Sequence, residues 1–283
     1  MRLAFIHPFL YRYPRGIERF TVNIANALVR CGIEVHILTW WWPEPIKTDR
    51  LDERVQVHVL PTSRYFAAQA IVPFYVWELL TGHYDYVWVF FAGYGEAEAL
   101  TLASLLRTLP YGVILHYPFA EVPHRYRELR RYGFARRARV IVATSAFVAE
   151  GVKQLLGLES TVITSAVDAA HFQPDMAMRQ LARAKLGVAD DDPVLLSVMA
   201  LEERKGVQHV INALPMVLST YPRLKYIVVG EGNYRAVLEA QINTRGLRDV
   251  VKLAGATDNV LPYYQAADIF IMLSRGEAAP LAP

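Results

Sequence analysis

The chain has 283 residues, of which 53% are hydrophobic and 20% are charged, and its formal net charge is +3. This composition excludes a disordered or fibrous protein, and so small a charge excludes a general nucleic-acid binder. The length favours two domains over one large α/β domain, which stays open. The single cysteine, Cys31, cannot form an internal disulfide, which suits the reducing cytosol.

The apolar stretches do not match those of membrane-spanning or secreted proteins. Polar residues, Pro73 and Gly93 interrupt the stretches at 66–80 and 86–94, so neither reaches the roughly 18 apolar residues of a spanning helix. His7 and Pro8 end the N-terminal apolar run before it could form a signal-peptide core. The sequence therefore predicts a cytoplasmic protein.

The first part of the chain alternates strand and helix patterns. Residues 3–6 form an apolar strand pattern, and apolar residues at helical spacing then run from Ile17 to Leu28 and stop before Gly32. Further strands are predicted at 34–40, 55–60, 86–91, 112–116, 140–143 and 161–164. Strands that alternate with helices predict a mainly parallel, doubly wound α/β sheet.

A second alternating series begins after residues 172–175, where Pro174 and polar residues interrupt the pattern. This segment predicts a linker between an N-terminal domain, 1–173, and a C-terminal domain, 174–283. Strands are predicted at 194–198, 225–229, 250–253 and 269–273, with helices at 206–218, 234–245 and 261–267. These elements predict a second Rossmann-like domain.

The loop at 201–206 carries the strongest chemical signal. Ligands of open α/β sheets bind beyond the carboxyl ends of the strands, where helix N-termini favour anions. Arg204 and Lys205 lie there beside a helix start, against the helix dipole, which indicates a compensating diphosphate. The simpler interpretation, in which both cations are solvated or pair with Glu202 and Glu203, is equally supported by the residues alone.

Glycines occupy turns at the same predicted edge. Gly16 precedes the first helix, Gly230 and Gly232 follow the strand at 225–229, and Gly255 follows the next strand. A single glycine often marks only a tight turn, but successive loops of this kind form a continuous crevice. The third glycine of a dinucleotide fingerprint is absent, as are a Walker A motif and metal-ligand spacings. The sequence therefore predicts neither a nicotinamide or flavin cofactor nor a metal.

Two further side chains reach this edge. Glu277 follows the last predicted strand and adds a carboxylate. His116 ends a strand of the first domain, where a histidine is more often a packed structural residue than a catalytic one. Its position at the rim is what makes it a candidate.

In order and spacing, these loops resemble those of the retaining glycosyltransferases of group 1 with the GT-B fold. The matching segments are 16–18, 115–118, 143–148, 165–172, 200–206, 229–234, 253–255 and 266–277, so the resemblance covers nearly the whole chain. It implies two Rossmann-like domains facing across a cleft, the second binding a nucleotide-sugar donor and the first a glycan or lipid-linked acceptor. It implies no metal.

The resemblance also assigns roles to the candidate residues. Lys205 and Arg204 would neutralise the donor diphosphate, while Glu277 would lie near the donor sugar and His116 near the reaction centre as catalytic residues. Four glycines would complete the donor site by letting the backbone approach the nucleotide: Gly16, Gly230, Gly232 and Gly255.

The chain departs from the family pattern at three places. Arg15 replaces a first glycine, and Met199-Ala200 replaces a common Gly-Arg, so that either Arg204 supplies the second cation or donor binding is weaker. The chain also ends six residues after Glu277, before the second carboxylate of the family's E-x7-E element. The resemblance thus implies an incomplete donor domain, from which we expect weak donor binding and little or no transfer.

A basic and aromatic segment at 125–139 completes the candidates. Seven arginines, Arg125, Arg127, Arg130, Arg131, Arg136, Arg137 and Arg139, alternate there with Tyr126, Tyr132 and Phe134. Such a segment could meet anionic lipid at the inner face of a membrane, although a solvated helix face is the slightly favoured interpretation.

Two alternatives to a transferase remain open from the sequence. One is a non-catalytic sugar-nucleotide-binding or scaffold protein. The other is a GT-B sugar-nucleotide epimerase, which is less favoured because the hydrolysing type needs further carboxylates that we cannot place.

Overall fold

The computed structural model describes residues 1–8, 10, 16–40, 51–61, 68–90, 95–117, 129–167, 169 and 171–278. The chain divides into two compact units, whose main parts are Met1–Ser165 and Ala166–Glu277. Within the described ranges, no helix combines the length and the apolar character that a membrane crossing requires.

The first unit is built on a parallel sheet. Its strands are β1 (Arg2–Ile6), β2 (Glu34–Trp40), β3 (Gln56–Leu60), β4 (Tyr86–Phe90), β5 (Tyr111–Leu115), β6 (Val140–Ala143) and β7 (Thr161–Val162). Its helices are α1 (Gly16–Arg30), α2 (Val72–Thr81), α3 (Glu96–Leu106), α4 (Phe134–Arg137) and α5 (Ala146–Leu156). The strand order is β3-β2-β1-β4-β5-β6-β7, which places β1, β4 and β5 side by side.

The second unit repeats the pattern on a smaller sheet. Its elements are α6 (Met176–Leu186), β8 (Val194–Val198), α7 (Val207–Leu218), β9 (Lys225–Val229), α8 (Arg235–Thr244), β10 (Val251–Gly255), α9 (Leu261–Ala266) and β11 (Ile269–Phe270). The strand order is β10-β9-β8-β11, and every pairing is parallel. The predicted fold of two Rossmann-like α/β sheets is thus confirmed.

Residues that favour helix ends close two of the helices. The Ser145 side chain caps α5 by accepting a hydrogen bond from Val148 N at 3.3 Å, and Asp175 caps α6 by accepting one from Met178 N at 2.9 Å. Gly157 and Gly187 end these two helices with φ of +65° and +72°, which glycine adopts without steric cost.

The last predicted strand is shorter than its apolar run suggests. Residues 269–273 are apolar, but regular pairing of β11 with β8 ends at Phe270. Ile271 N still donates to Leu196 O at 2.8 Å, whereas Ile271 O accepts the Ser197 hydroxyl at 2.6 Å. A side chain therefore bonds the carbonyl, and the chain turns into the loop that carries Glu277.

Candidate functional site

The second unit brings two of the predicted loops together beyond the carboxyl ends of β8 and β11. After β8, residues 199–206 pass through a short 3₁₀ turn, Glu203–Lys205, into α7. After β11, residues 271–277 run alongside that turn, and Arg275 N donates to Arg204 O at 2.8 Å. Because β8 and β11 are parallel neighbours, both loops leave the sheet at the same edge.

An ion pair joins these loops. Lys205 Nζ donates to Glu277 Oε1 at 2.5 Å, across 72 positions of sequence. The two side chains are only 14% and 21% exposed, so solvent screens the pair less than it would a surface pair. A ligand phosphate that binds the ammonium must therefore displace the Glu277 carboxylate or share Lys205 with it.

Arg204 has a different environment. Its Nε donates to Glu202 Oε2 at 3.0 Å, and its side chain is 39% exposed. Arg204 thus pairs with Glu202, as the simpler interpretation of the loop expects, and its contact with a diphosphate stays a prediction. Lys205 pairs with the distant Glu277 instead of Glu203, and this juxtaposition of a partly buried cation and carboxylate is what makes the edge a candidate site.

The glycines of this edge are explained by close approaches within the protein. Gly230 has φ of +142°, and a Cβ built there would stand 1.9 Å from Met199 O. A Cβ on Gly232 would lie 2.2 Å from Leu201 O, and Gly230 N donates to Gly255 O at 2.8 Å. These contacts require small residues without any ligand, so the predicted approach of a nucleotide to this backbone stays a prediction.

In the first unit, His116 directly follows β5. Its ring lies 4.5 Å from Phe20 in an edge-to-face contact and stacks 6.2 Å from Phe90, between ring centroids. Its Nε2 is buried and has no hydrogen-bond partner among the described residues. Burial lowers the pKa of His116 to about 3, so the imidazole is neutral at pH 7 and can exchange a hydrogen bond with a polar ligand.

His7 is a candidate that the sequence analysis missed. It follows β1, its ring centroid lies 5.8 Å from that of Phe90, and its buried Nδ1 also lacks a described partner. Burial lowers the pKa of His7 to about 4. The available signal was a polar residue at a strand end on the same edge as His116, but we used His7 only to exclude a signal peptide.

Gly16 is the first residue of α1, and Arg15 lies outside the described residues. Gly16 belongs to the first unit. Its role in donor binding stays a prediction.

The buried histidines predict acid sensitivity. Both histidines have a pKa in the folded chain that lies below the ordinary 6.5. Below pH 6.5 the unfolded chain therefore binds more protons than the folded chain. The free energy of unfolding consequently decreases as the pH falls from 6.5 toward the folded pKa values. Each histidine contributes about 1.4 kcal/mol per pH unit. Urea unfolding between pH 6.5 and about 5 should show this slope, which His7→Gln should reduce. Replacement of the exposed His209 by Gln should leave it unchanged, and an unchanged slope in His7→Gln would contradict the assignment.

Family comparisons agree with the fold and with the sequence resemblance. The family model for Glycosyltransferase Family 4 matches residues 14–171, and the model for Glycosyl transferases group 1 matches residues 178–283. The first match alone covers more than half of the chain.

Individual curated relatives match only part of the chain. An alpha-monoglucosyldiacylglycerol synthase of Streptococcus pneumoniae is 33% identical over 44% of this chain and 29% of its own length. A GDP-mannose-dependent monoacylated alpha-(1-6)-phosphatidylinositol monomannoside mannosyltransferase of Corynebacterium glutamicum is 30% identical over 54% of this chain and 41% of its own. The chain therefore spans less than half the length of these curated relatives.

A solved structure shares the fold along almost the whole chain. The Anabaena protein HepE, in complex with UDP and glucose, superposes with a TM-score of 0.79 and 22% identity over 98% of this chain and 75% of HepE. At this identity, the likeness establishes the architecture alone.

Proposed function

The chain belongs to the glycosyltransferases, with a Family 4 first half and a group 1 second half, and on this premise we propose that it is a retaining hexosyltransferase. Its donor in this proposal is a nucleotide diphosphate sugar, and its acceptor is a hydroxyl of a glycan or a lipid-linked molecule. The observation that carries the proposal is the Lys205–Glu277 pair at the carboxyl edge of the second sheet.

The choice of substrates draws on the relatives. The Streptococcus and Corynebacterium proteins are named for glucosyl and mannosyl transfer to lipids, and HepE was solved with UDP and glucose. A diphosphate carries the negative charge that Lys205 and Arg204 can neutralise. We therefore place the donor diphosphate at these two cations and the donor sugar near Glu277.

The proposed reaction exchanges one bond at the anomeric carbon. The bond from C1 to the phosphate oxygen breaks, and the nucleoside diphosphate leaves with the electron pair. The acceptor oxygen forms its bond to C1 on the same face, and its proton passes to the departing phosphate. Lys205 and Arg204 stabilise the charge that develops on the diphosphate, which lowers the barrier where charge accumulates.

His116 is proposed to contact the sugar at the reaction centre as a neutral imidazole. Removing one hydrogen-bonding group that acts in the transition state lowers kcat by about 10²-fold. In an active chain extended to the length of the relatives, we expect this loss in His116→Ala, with little change in donor affinity. Steady-state kinetics and calorimetry separate the two quantities, with His209→Ala as an exposed control. A loss of thermal stability alone would assign His116 to packing.

The proposal assigns no role to a metal, because the two cations supply the charge that a diphosphate requires. Donor affinity measured by calorimetry should therefore be the same with EDTA as with added Mg²⁺. A donor that binds only with the divalent cation would contradict this part of the proposal.

A panel of nucleotide sugars and nucleoside diphosphates tests the function. Ligand at a hundred times its Kd stabilises the folded protein by about 2.7 kcal/mol, which raises the melting temperature by several degrees. We expect one nucleotide class to do so, and we expect product formation in the presence of an acceptor from a chain extended to the length of the relatives. Stabilisation without product from any hydroxyl acceptor would favour the non-catalytic sugar-nucleotide binder, and no stabilisation by any nucleotide would contradict donor binding.

A further inference from the structure

The first unit exposes an unusual set of large apolar side chains on two neighbouring helices. Trp77 on α2 is 68% exposed, and Leu105 and Leu106 on α3 are 74% and 75% exposed. Phe74 and Leu102 are also exposed on the same two helices. We call these five residues the α2–α3 face.

The two helices have separate core-facing residues, so the α2–α3 face is not the side by which they pack on the core. α2 and α3 contact each other, and their other sides are buried in the core of the first unit through Tyr75, Leu79, Leu100 and Ala103. Both helices are therefore anchored through these buried residues, while Trp77, Leu105 and Leu106 remain more than two thirds exposed. Exposed apolar patches of this kind mark contacts with a partner or a membrane.

Arginines flank the face. Arg131 pairs with Glu98 at 2.9 Å, and Arg137 donates to the Thr101 hydroxyl at 3.0 Å, so the segment from 130 to 139 lies along α3. No carboxylate of a described residue lies within ion-pair distance of Arg130, Arg136 or Arg139. The border of the face thus carries an excess of positive charge; Arg125, Tyr126 and Arg127 lie outside the described residues.

The same segment borders two recesses that pair cations with apolar walls. One, of about 420 Å³, is lined by Arg130 and Arg136 together with Leu129, Leu156 and Leu158. The other, of about 330 Å³, is lined by Arg137 and Arg139 together with Leu100, Leu109 and Pro110, and its wall also includes Thr101 and Ser104. Two guanidinium groups beside apolar side chains can bind the phosphate of a lipid head group while its acyl chains contact the apolar surface.

From this arrangement we infer that the α2–α3 face and its arginines dock on the surface of an anionic lipid bilayer. The leucines and Trp77 would enter the boundary between head groups and acyl chains, and the arginines would meet the phosphates. Tyr132, which is 56% exposed at a turn beside these arginines, also has the amphipathic side chain found at such interfaces. A second copy of the chain fits less well, because a symmetric contact would oppose the two sets of arginines.

Vesicle sedimentation tests the inference without any transferase assay. We compare vesicles of phosphatidylcholine alone with vesicles that contain an equal amount of phosphatidylglycerol. The apolar variant is Leu105→Ser with Leu106→Ser, and the charge variant is Arg136→Gln with Arg139→Gln. The matched controls are Met216→Ser and the pair Arg245→Gln with Arg248→Gln, all on the surface of the second unit.

We expect the wild type to bind the anionic vesicles and to lose binding as salt is added. The double leucine substitution should weaken partitioning onto the vesicles about tenfold or more, and each arginine substitution should weaken it about fivefold. The control variants should bind as the wild type does. Lipids brominated in the acyl chain should quench tryptophan emission in the wild type and quench it less in Trp77→Phe.

Three results would overturn the inference. The wild type could fail to bind anionic vesicles, or the leucine pair could bind as tightly as the Met216 control. The third is a dimer of the wild type in light scattering that is lost only in the variant Leu105→Ser with Leu106→Ser. This result would make the face an interface between copies of the chain. All variants alter exposed side chains, so circular dichroism and melting curves should match the wild type.

Discussion

Lys205→Ala is expected to weaken the binding of a nucleoside diphosphate by roughly 10- to 150-fold. The reason is that a charge-assisted hydrogen bond to a partly buried group contributes about 1.5–3 kcal/mol. Lys205 is 14% exposed and ends beside Glu277, so its ammonium is already held at the proposed phosphate position. Calorimetric titration of the nucleotide that the panel selects measures the effect.

The control for this variant is Lys185→Ala, which removes an exposed lysine from α6 of the same unit. It should bind the nucleotide as the wild type does. Arg204→Ala should weaken binding less than Lys205→Ala, because Arg204 is more exposed and pairs with Glu202. Equal affinities for wild type, Lys205→Ala and Arg204→Ala would remove this loop from the donor site.

Gly206→Ala is expected to cost about 3 kcal/mol or more of folding free energy and to weaken nucleotide binding as well. Gly206 has φ of +80°, and a Cβ there would stand 2.2 Å from Leu273 O and 2.9 Å from the Leu273 Cβ. Alanine must therefore push the chain after β11 away from the 3₁₀ turn, in addition to adopting an unfavourable φ. Because Glu277 lies four residues after Leu273, the displacement should also disturb its contact with Lys205.

Gly187→Ala is a matched control, since Gly187 has φ of +72° but nothing within 4 Å of a Cβ. It should cost only the roughly 1–2 kcal/mol of the left-handed conformation. The difference between the two variants in urea denaturation then measures the steric contact itself. If both variants lose the same stability, the close approach of Gly206 to Leu273 is not an important constraint.

The fold was largely predictable, because buried parallel strands produce continuous apolar runs. Strands β6, β8 and β9 begin and end at the predicted residues. The helix predicted from Gly206 instead begins at Val207, because Gly206 caps it in a left-handed conformation. Strand β10 continues to Gly255, two residues past its prediction, through an irregular pairing with β9.

The partners at the site were less predictable, since they depend on how the strand order brings distant loops together. Both Lys205 and Glu277 were placed at one edge from the sequence, but their direct contact follows from the adjacency of β8 and β11. For Gly230, the resemblance implied that the backbone approaches a nucleotide, which stays a prediction, whereas the close approach of Met199 O to the same glycine is a tertiary contact that the structure alone shows. Local spacing does not contain such tertiary contacts.

The central claim is that a donor diphosphate binds at Lys205, and a crystal structure of the chain with the selected nucleoside diphosphate tests it most directly. We expect a phosphate oxygen within hydrogen-bonding distance of Lys205 Nζ, with the Glu277 carboxylate moved from its 2.5 Å contact or sharing the ammonium with the phosphate. A nucleotide bound elsewhere, with Lys205 and Glu277 still paired and away from the phosphates, would contradict the account.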